Sequence, residues 1–313
     1  MKAAVVLGAG QNPSYGDFPE PICKENEVKV NVIAAALTPL AKARAAGTHY
    51  SSGGAYPFVA GADGVGHLDD GTRVFFLLPK PPQGAMAERI TVPNGQWLRL
   101  PDSIDDLSAA SIANAGMSSW AALVQRARIK SGQAVLVNGA TGASGQLAVR
   151  IARHLGASRV IATGRNEKVL NALGADSVVL LSEDIDAFEA AVAEQFKNGI
   201  DIVLDYLWGA SARAILLAAA KIQSGTPTRF VQIGSVTGEE VSLPARILRS
   251  SGVEMLGSGI GSLSLEQLML SVSEMLNEAS SAQLSLEYSA VPLINVGSVW
   301  GLKDGRRYIF TMK

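Results

Sequence analysis

The spacing of apolar positions changes character near residue 117. Before it, apolar residues come in short groups broken by proline, glycine, Asn and Asp. Runs at 2–7, 28–33, 72–78 and 86–92 predict strands, and 59–66 predicts a glycine-rich strand or bulge. Asn12-Pro13 and Pro19-Glu20-Pro21 punctuate the first of these intervals, and a short helix over 40–46 should stop at Gly47. A helix over 107–115 should break at Gly116-Met117-Ser118-Ser119 and resume over 120–126. Beyond it, strand and helix patterns alternate. Strands are expected at 135–137, 160–162, 177–181, 202–204, 230–233 and 253–256, and helices at 185–196, 210–220 and 263–277. A last strand is expected at 308–312. The first pattern implies a β-domain over 1–116. The second implies an α/β domain over 117–262 with a doubly wound parallel sheet, and 263–313 is expected to rejoin the first domain.

The stretch 134–165, AVLVNGATGASGQLAVRIARHLGASRVIATGR, organises the second domain. Val135, Leu136 and Val137 form a buried-type strand. Gly139, Gly142 and Gly145 follow at three-residue spacing, and Leu147, Ala148, Ile151, Ala152 and Leu155 lie on one helix face. A strand-to-helix turn must be tight, and glycine lets its backbone come close to a bound pyrophosphate. The helix start then offers unpaired N–H groups and the positive end of its dipole. This context marks a dinucleotide site. The next strand ends in Thr163-Gly164-Arg165-Asn166. Sites for NAD usually place a carboxylate there to hold the ribose 2′-hydroxyl. None is present, and Arg165 can pair with a 2′-phosphate, so NADPH is expected over NADH. The bland alternative is that Arg165 is a solvated loop residue. Ligands of such sheets lie beyond the carboxyl ends of the strands, where Asp205, Tyr206, Gly234, Ser235, Gly257 and Ser258 fall.

Composition narrows the class. With 313 residues the chain can hold two cores, and 48% apolar with 18% charged content is globular. A net charge of −1 without a long basic run argues against nucleic acid as a partner. No run of 18 apolar residues exists to span a bilayer, and the first residues read as a strand and not as a leader. A single cysteine, Cys23, precludes an internal disulfide and fits a cytoplasmic location. His49, His67, His154 and Cys23 include no pair at metal-ligand spacing, so no metal is expected.

The glycine turn lies mid-chain, and no tyrosine has a lysine four residues on, which disfavours the short-chain dehydrogenases. Five pieces carry a different resemblance: Gly61-Ala62-Asp63-Gly64-Val65-Gly66, Gly84-Ala85-Met86-Ala87-Glu88, Asn114-Ala115-Gly116-Met117-Ser118-Ser119-Trp120, the turn at 135–145, and Leu173-Gly174-Ala175-Asp176. Together they resemble the medium-chain dehydrogenase/reductase superfamily, in its zinc-free quinone oxidoreductase-like branch, over nearly the whole chain. The resemblance implies an α/β protein with a GroES-like domain over 1–116, completed by 263–313, and a Rossmann domain over 117–262. Thr38 and Ala62 stand where the zinc enzymes carry ligands, and their four-cysteine lobe is missing.

The implied activity is NADPH-dependent hydride transfer to a quinone or α,β-unsaturated carbonyl, with donors in place of a metal at the developing oxyanion. Thr141, Gly142, Ala143, Ser144 and Gly145 would surround the pyrophosphate, and Gly164, Arg165 and Asn166 the 2′-phosphate. Asp205, Tyr206, Gly234, Ser235, Gly257 and Ser258 would line the ribose–nicotinamide side, with Ser118 near the nicotinamide. Thr38, His49 and Tyr50 are the candidate catalytic residues, as donors to the oxyanion or a source of the proton. Thr38 departs from the asparagine common in related quinone reductases. Only His67 to Asp70 separate Gly66 from Gly71, a shorter hairpin than relatives carry. Asp63 is expected to brace the glycine-rich backbone, and Arg306 or Arg307 to be either a cofactor contact or a surface charge. A homodimer through the strand at 253–256 is implied by analogy. An alcohol or aldehyde dehydrogenase-like enzyme, and a non-catalytic NADPH-binding redox sensor, are the alternatives. Replacing Arg165 with alanine is expected to weaken NADPH far more than NADH in equilibrium binding titrations; an equal loss for both would remove Arg165 from the 2′-phosphate.

Overall fold

In the computed structural model, residues 1–52, 55–222 and 227–312 are described. The chain opens with β1 (Lys2–Val6), β2 (Ser14–Asp17), β3 (Glu27–Ala36), α1 (Pro39–Ala46), β4 (Phe58–Val59), β5 (Asp63–His67), β6 (Arg73–Leu77), β7 (Arg89–Pro93) and β8 (Trp97–Arg99). Helix α2 (Asp106–Ala121) runs into a π-turn, Ala122–Arg126. Alternation follows: β9 (Ala134–Asn138), α3 (Ala143–His154), β10 (Arg159–Gly164), α4 (Glu167–Ala172), β11 (Ser177–Leu180), α5 (Ile185–Phe196), β12 (Ile202–Asp205), α6 (Gly209–Lys221), β13 (Thr228–Gln232), α7 (Arg246–Ser250), β14 (Val253–Gly257) and α8 (Leu265–Asn277). The chain closes with β15 (Ser289–Pro292), α9 (Val296–Val299) and β16 (Tyr308–Thr311).

Two units result. The first contains Met1–Asn114, Val272–Ser280 and Ser285–Lys313; the second contains Ala115–Ser271 and Ser281–Leu284. In the first, β2-β1-β4 form a small antiparallel sheet, and β15-β16-β3-β5-β6-β8 form a larger one in which β7 also pairs with β3. The ten-residue β3 organises this sheet. Its first half pairs with β7, its second half with β5 and β16, and the register to β5 shifts between Val32 and Ala34. Such a shift bends a strand so that it can serve two partners. The core between them is Val30, Val32, Val74, Phe76, Ile90, Val92 and Phe310. The expected single strand over 59–66 is two, β4 and β5, because Gly61 between them takes a positive φ of 104°. On β5, a Cβ at Gly66 would stand 2.3 Å from the Asn31 carbonyl oxygen. The short hairpin to β6 closes with Leu68 N donating to Thr72 O.

The second unit is a six-stranded parallel sheet in the order β11-β10-β9-β12-β13-β14. The chain starts at the centre with β9 and winds first to one edge and then to the other. The carboxyl end of β9 therefore lies at the point where the winding reverses. Every residue of β9 and β12 is buried, as strands covered on both faces require. Phe188, Val192 and Phe196 of α5 pack with Ile215 and Leu216 of α6 and Phe230 of β13.

One expected feature is absent. Gly116-Met117-Ser118-Ser119 does not interrupt α2. Burial of its alanine-rich faces carries the helix through its glycine, while the Ser118 hydroxyl bonds back to the Ala115 carbonyl at 2.8 Å. Substituting Gly66 with alanine is expected to destabilise the protein by about 1–3 kcal/mol, since β3 backbone blocks the new methyl, as read by chemical denaturation.

Candidate functional site

The centre of the second unit is polar where its strands end. Asn138, the last residue of β9, is fully buried. Its Oδ1 accepts from Thr163 Oγ1 on β10 at 2.7 Å, and its Nδ2 donates to Asp205 Oδ1 on β12 at 2.7 Å and to Ser211 Oγ on α6 at 3.0 Å. Three adjacent strands are thus tied side chain to side chain at their carboxyl ends.

The glycine turn lies on this platform. Gly139 has φ 91°, and its N–H and that of Ala140 donate to the Thr163 carbonyl at 3.1 and 2.8 Å. A Cβ at Gly145 would stand 2.3 Å from the Gly139 carbonyl oxygen, so α3 can approach the turn only with glycine there. Helices α1, α4 and α5 are capped by Thr38, Asn166 and Asp184 side chains, whereas α3 begins at Gly142 with no side-chain cap. The first-turn amides, those of Ala143, Ser144 and Gly145, face away from the helix without a capping acceptor, and the dipole adds positive potential there. The chemistry of this donor set fits a phosphate group.

Around it, the residues expected from sequence divide. Gly164 leaves room for Thr141, whose Cγ2 would be 2.7 Å from a Cβ. Arg165 is exposed and pairs with no other described residue. Asn166 caps α4, accepting from Val169 N at 3.1 Å, so its carbonyl oxygen already has a structural task. Ser118 Oγ donates to Ala115 O, Ser235 Oγ to Glu239 Oε1 at 2.6 Å, and the Gly257 carbonyl accepts from Arg126 Nε at 2.6 Å. Ser258 is 6% exposed and its N–H donates to Gln232 O. Gly234 sits against Tyr206, whose carbonyl oxygen would be 2.7 Å from a Cβ.

Asp205 and Tyr206, expected at the cofactor from the strand-end pattern, are both engaged within the unit, Asp205 fully buried and Tyr206 half-buried. Asp205 is 0% exposed, and its carboxylate accepts from Asn138 Nδ2, Leu207 N and Trp208 N. Burial pushes it up to about 6, against the opposing effect of these bonds. It holds Trp208 in a backbone region, φ 61° and ψ −155°, that a bulky residue rarely adopts. The Tyr206 hydroxyl lies 2.7 Å from Ser119 Oγ, and burial raises its pKa. Sequence reasoning missed Asn138, Thr163, Ser119 and Ser211 as a network. The only hint was a polar residue closing the apolar run Val135-Leu136-Val137.

In the first unit, Thr38 is 2% exposed and its Oγ1 accepts from Ala41 N, making it the cap of α1. His49 Nδ1 accepts from Ser51 N at 3.1 Å, and burial, then the nearby Arg44 charge, lowers its pKa. The Tyr50 ring packs on it at 4.1 Å while remaining 73% exposed. Asp63 does not brace the glycine-rich backbone as expected. It is 1% exposed, and neither carboxylate oxygen has a partner in hydrogen-bond geometry. Burial pushes it up to about 7, opposed by the Arg307 charge and the Asn114 amide. Arg307 is correspondingly no surface charge: its Nε and one terminal nitrogen are buried. Arg306 is exposed. Among the described residues no three His, Cys, Asp or Glu side chains are grouped to hold a metal, and no helix is long and apolar enough to cross a membrane.

A nucleotide-type parallel sheet with an uncapped glycine turn, carried on one chain with a mixed, mostly antiparallel β unit, defines a dehydrogenase-like class of protein. A family model described as zinc-binding dehydrogenase matches residues 143–277. The "Probable NADPH-dependent quinone reductase tdiC" of Emericella nidulans is 28% identical over 349 residues, covering 97% of this chain and 97% of that one. A "Mycocerosic acid synthase-like polyketide synthase" of Mycobacterium tuberculosis is 35% identical over 179 residues, 55% of this chain and 8% of that protein. The quinone oxidoreductase of Thermus thermophilus, solved also with NADPH, is 26% identical with a TM-score of 0.82, covering 100% of both chains. Over its whole length the chain is thus similar to the medium-chain dehydrogenase/reductase superfamily, in its quinone oxidoreductase-like branch.

The raised Asp63 has a consequence for stability. A carboxyl whose folded pKa exceeds its unfolded value favours the fold while protonated. That contribution is full below the ordinary 3.8 and is lost as pH rises through about 7. Asp63→Asn mimics the protonated form, so its melting temperature relative to the wild type should be higher at pH 8 than at pH 5, by about 3 °C or more. Thermal unfolding at the two pH values checks this; a wild-type advantage that grows toward pH 8 would mean that Arg307 holds Asp63 as the anion.

Proposed function

We propose that this protein is a zinc-independent NADPH-dependent reductase acting on a quinone or an α,β-unsaturated carbonyl. The observation that carries the reading is the uncapped start of α3 at the winding reversal of the sheet, with unpaired Arg165 at the end of the next strand and no carboxylate beside it. In this reading the amides of Ala143, Ser144 and Gly145 hold the pyrophosphate and Arg165 the 2′-phosphate. NADPH, when bound, supplies the hydride. The chain's own contribution is orientation and stabilisation of the oxyanion that forms. His49 and Tyr50 are the proposed donors. With Nδ1 accepting from Ser51, His49 carries its proton on Nε2 in the neutral form that its lowered pKa favours. Thr38 is left out of this role because it is buried, 2% exposed, under the start of α1 that it caps.

Zinc independence is argued from Thr38 and Ala62, which stand where the zinc enzymes of the superfamily carry ligands; Ala62 offers no ligand atom. The likeness to the NADPH-dependent quinone reductase of Emericella nidulans and the quinone oxidoreductase of Thermus thermophilus supports the cofactor and the quinone. β14 is an edge strand with exposed Glu254 and Met255, and we place a homodimer contact there. A cytoplasmic location agrees with the single unpaired cysteine.

The test is oxidation of NADPH and of NADH, in parallel, with a panel of 1,4-quinones and enones, with and without a chelator. Turnover with NADPH that survives chelation is expected. Tight NADPH binding with no turnover across the panel would leave a cofactor-binding sensor instead.

A further inference from the structure

The start of α3 must hold three amides in fixed directions without a capping side chain, and the structure contains a device that does this from behind. Ser119, on α2, is 0% exposed. Its Oγ lies 3.0 Å from the Ser144 carbonyl oxygen, 3.3 Å from the Ala115 carbonyl oxygen and 2.7 Å from the Tyr206 hydroxyl. A serine hydroxyl has one hydrogen to give and lone pairs to receive. With the hydrogen assigned to the nearer carbonyl, that of Ser144, the Tyr206 hydroxyl, which also interacts with the Ser118 side chain, is the donor to Ser119. Burial raises the Tyr206 pKa, so its hydroxyl keeps that hydrogen across the working pH range.

We propose that Ser119 and Tyr206 are positioning residues for the cofactor pyrophosphate, acting through the Ser144–Gly145 peptide. The proposal rests on the reading that NADPH binds at the glycine turn. The Ser144 carbonyl and the Gly145 N–H are opposite ends of one planar peptide unit. Holding the oxygen from Ser119 sets the direction of the N–H at the anion end of the helix. From the other side the same peptide is confined by the Gly139 carbonyl, 2.3 Å from where a Gly145 Cβ would be. Tyr206 is itself anchored, its N–H donating to Asn138 O at 3.1 Å and its carbonyl packed on Gly234. The ends of β9, β12 and β13 thereby share control of one amide. Tyr206 need not touch the cofactor to affect it.

The experiment is calorimetric titration of NADPH, and of adenosine 2′-monophosphate, which has the 2′-phosphate but no pyrophosphate. The proteins are the wild type, Tyr206→Phe, Ser119→Ala and the double variant, each checked for folding by circular dichroism. Tyr206→Phe and Ser119→Ala are each expected to weaken NADPH about 3–10-fold, the worth of one hydrogen bond. The double variant should bind no more weakly than Ser119→Ala, because Tyr206 acts through Ser119. Adenosine 2′-monophosphate should bind all four alike. Unchanged NADPH affinity in folded Tyr206→Phe, effects that multiply, or equal weakening of both ligands would overturn the proposal. If the wild type binds the monophosphate but not NADPH, the cofactor reading fails with it. If Ser119→Ala does not fold, the two ligands on Tyr206→Phe decide the matter alone.

Discussion

The buried contact between Asn138 and Asp205 is the constraint on which the second unit depends. A carboxylate with no exposure is costly unless its oxygens are satisfied. Here one partner comes from the neighbouring strand and two from the backbone immediately after β12. Satisfying Asp205 forces the chain to double back at Leu207 and Trp208, which is why Trp208 is held at positive φ. The same Asn138 binds Thr163, and Thr163 accepts the first two amides of the glycine turn through its carbonyl. Strand ends, turn and helix start are therefore one connected polar assembly. Loss of any member would leave a buried group unpaired, at a cost of about 1–3 kcal/mol.

Glycines do the complementary work. Gly145 brings α3 against the turn, Gly234 admits the Tyr206 carbonyl, and Gly66 lets β5 pair closely with β3 at its register shift. Each is a place where backbone meets backbone and a methyl group has no room. The polar assembly sets direction and the glycines set distance. Together they produce a helix start whose first-turn amides are oriented and take no capping side chain. Helix α3 receives no side-chain cap of the kind that α1, α4 and α5 have, which leaves its first-turn amides without a capping acceptor.

The first unit contains the opposite arrangement. Asp63 is buried near the buried guanidinium nitrogens of Arg307, yet neither carboxylate oxygen is paired in hydrogen-bond geometry. Burial moves the two groups toward their neutral forms, Asp63 upward and Arg307 downward. This pair links the start of β5 to the residue before β16, joining the beginning of the unit to the end of the chain through electrostatics as well as through the β3–β16 pairing.

How much of this was written in the chain depends on the range of the interaction. Local patterns were legible because local physics makes them. Apolar periodicity placed α5 over 185–196 with its observed ends, and glycine stopped α1 at Gly47. Three spaced glycines between a strand and a helix marked the nucleotide turn, and the absence of a carboxylate beside Arg165 needed no fold to be seen. The continuity of α2 through Gly116 was not legible, because burial of its faces overrode a local preference. Nor were the bonds that Asp205 and Tyr206 make within the unit. A side chain at a strand end can point to ligand or to core, and the choice depends on Asn138 and Ser119, which are 67 and 87 residues away in sequence. The sequence by itself determined that a dinucleotide turn exists and where it lies. Only the tertiary structure decided which polar residues around it are left for a ligand, because that depends on which hydrogen bonds the folded core has already used.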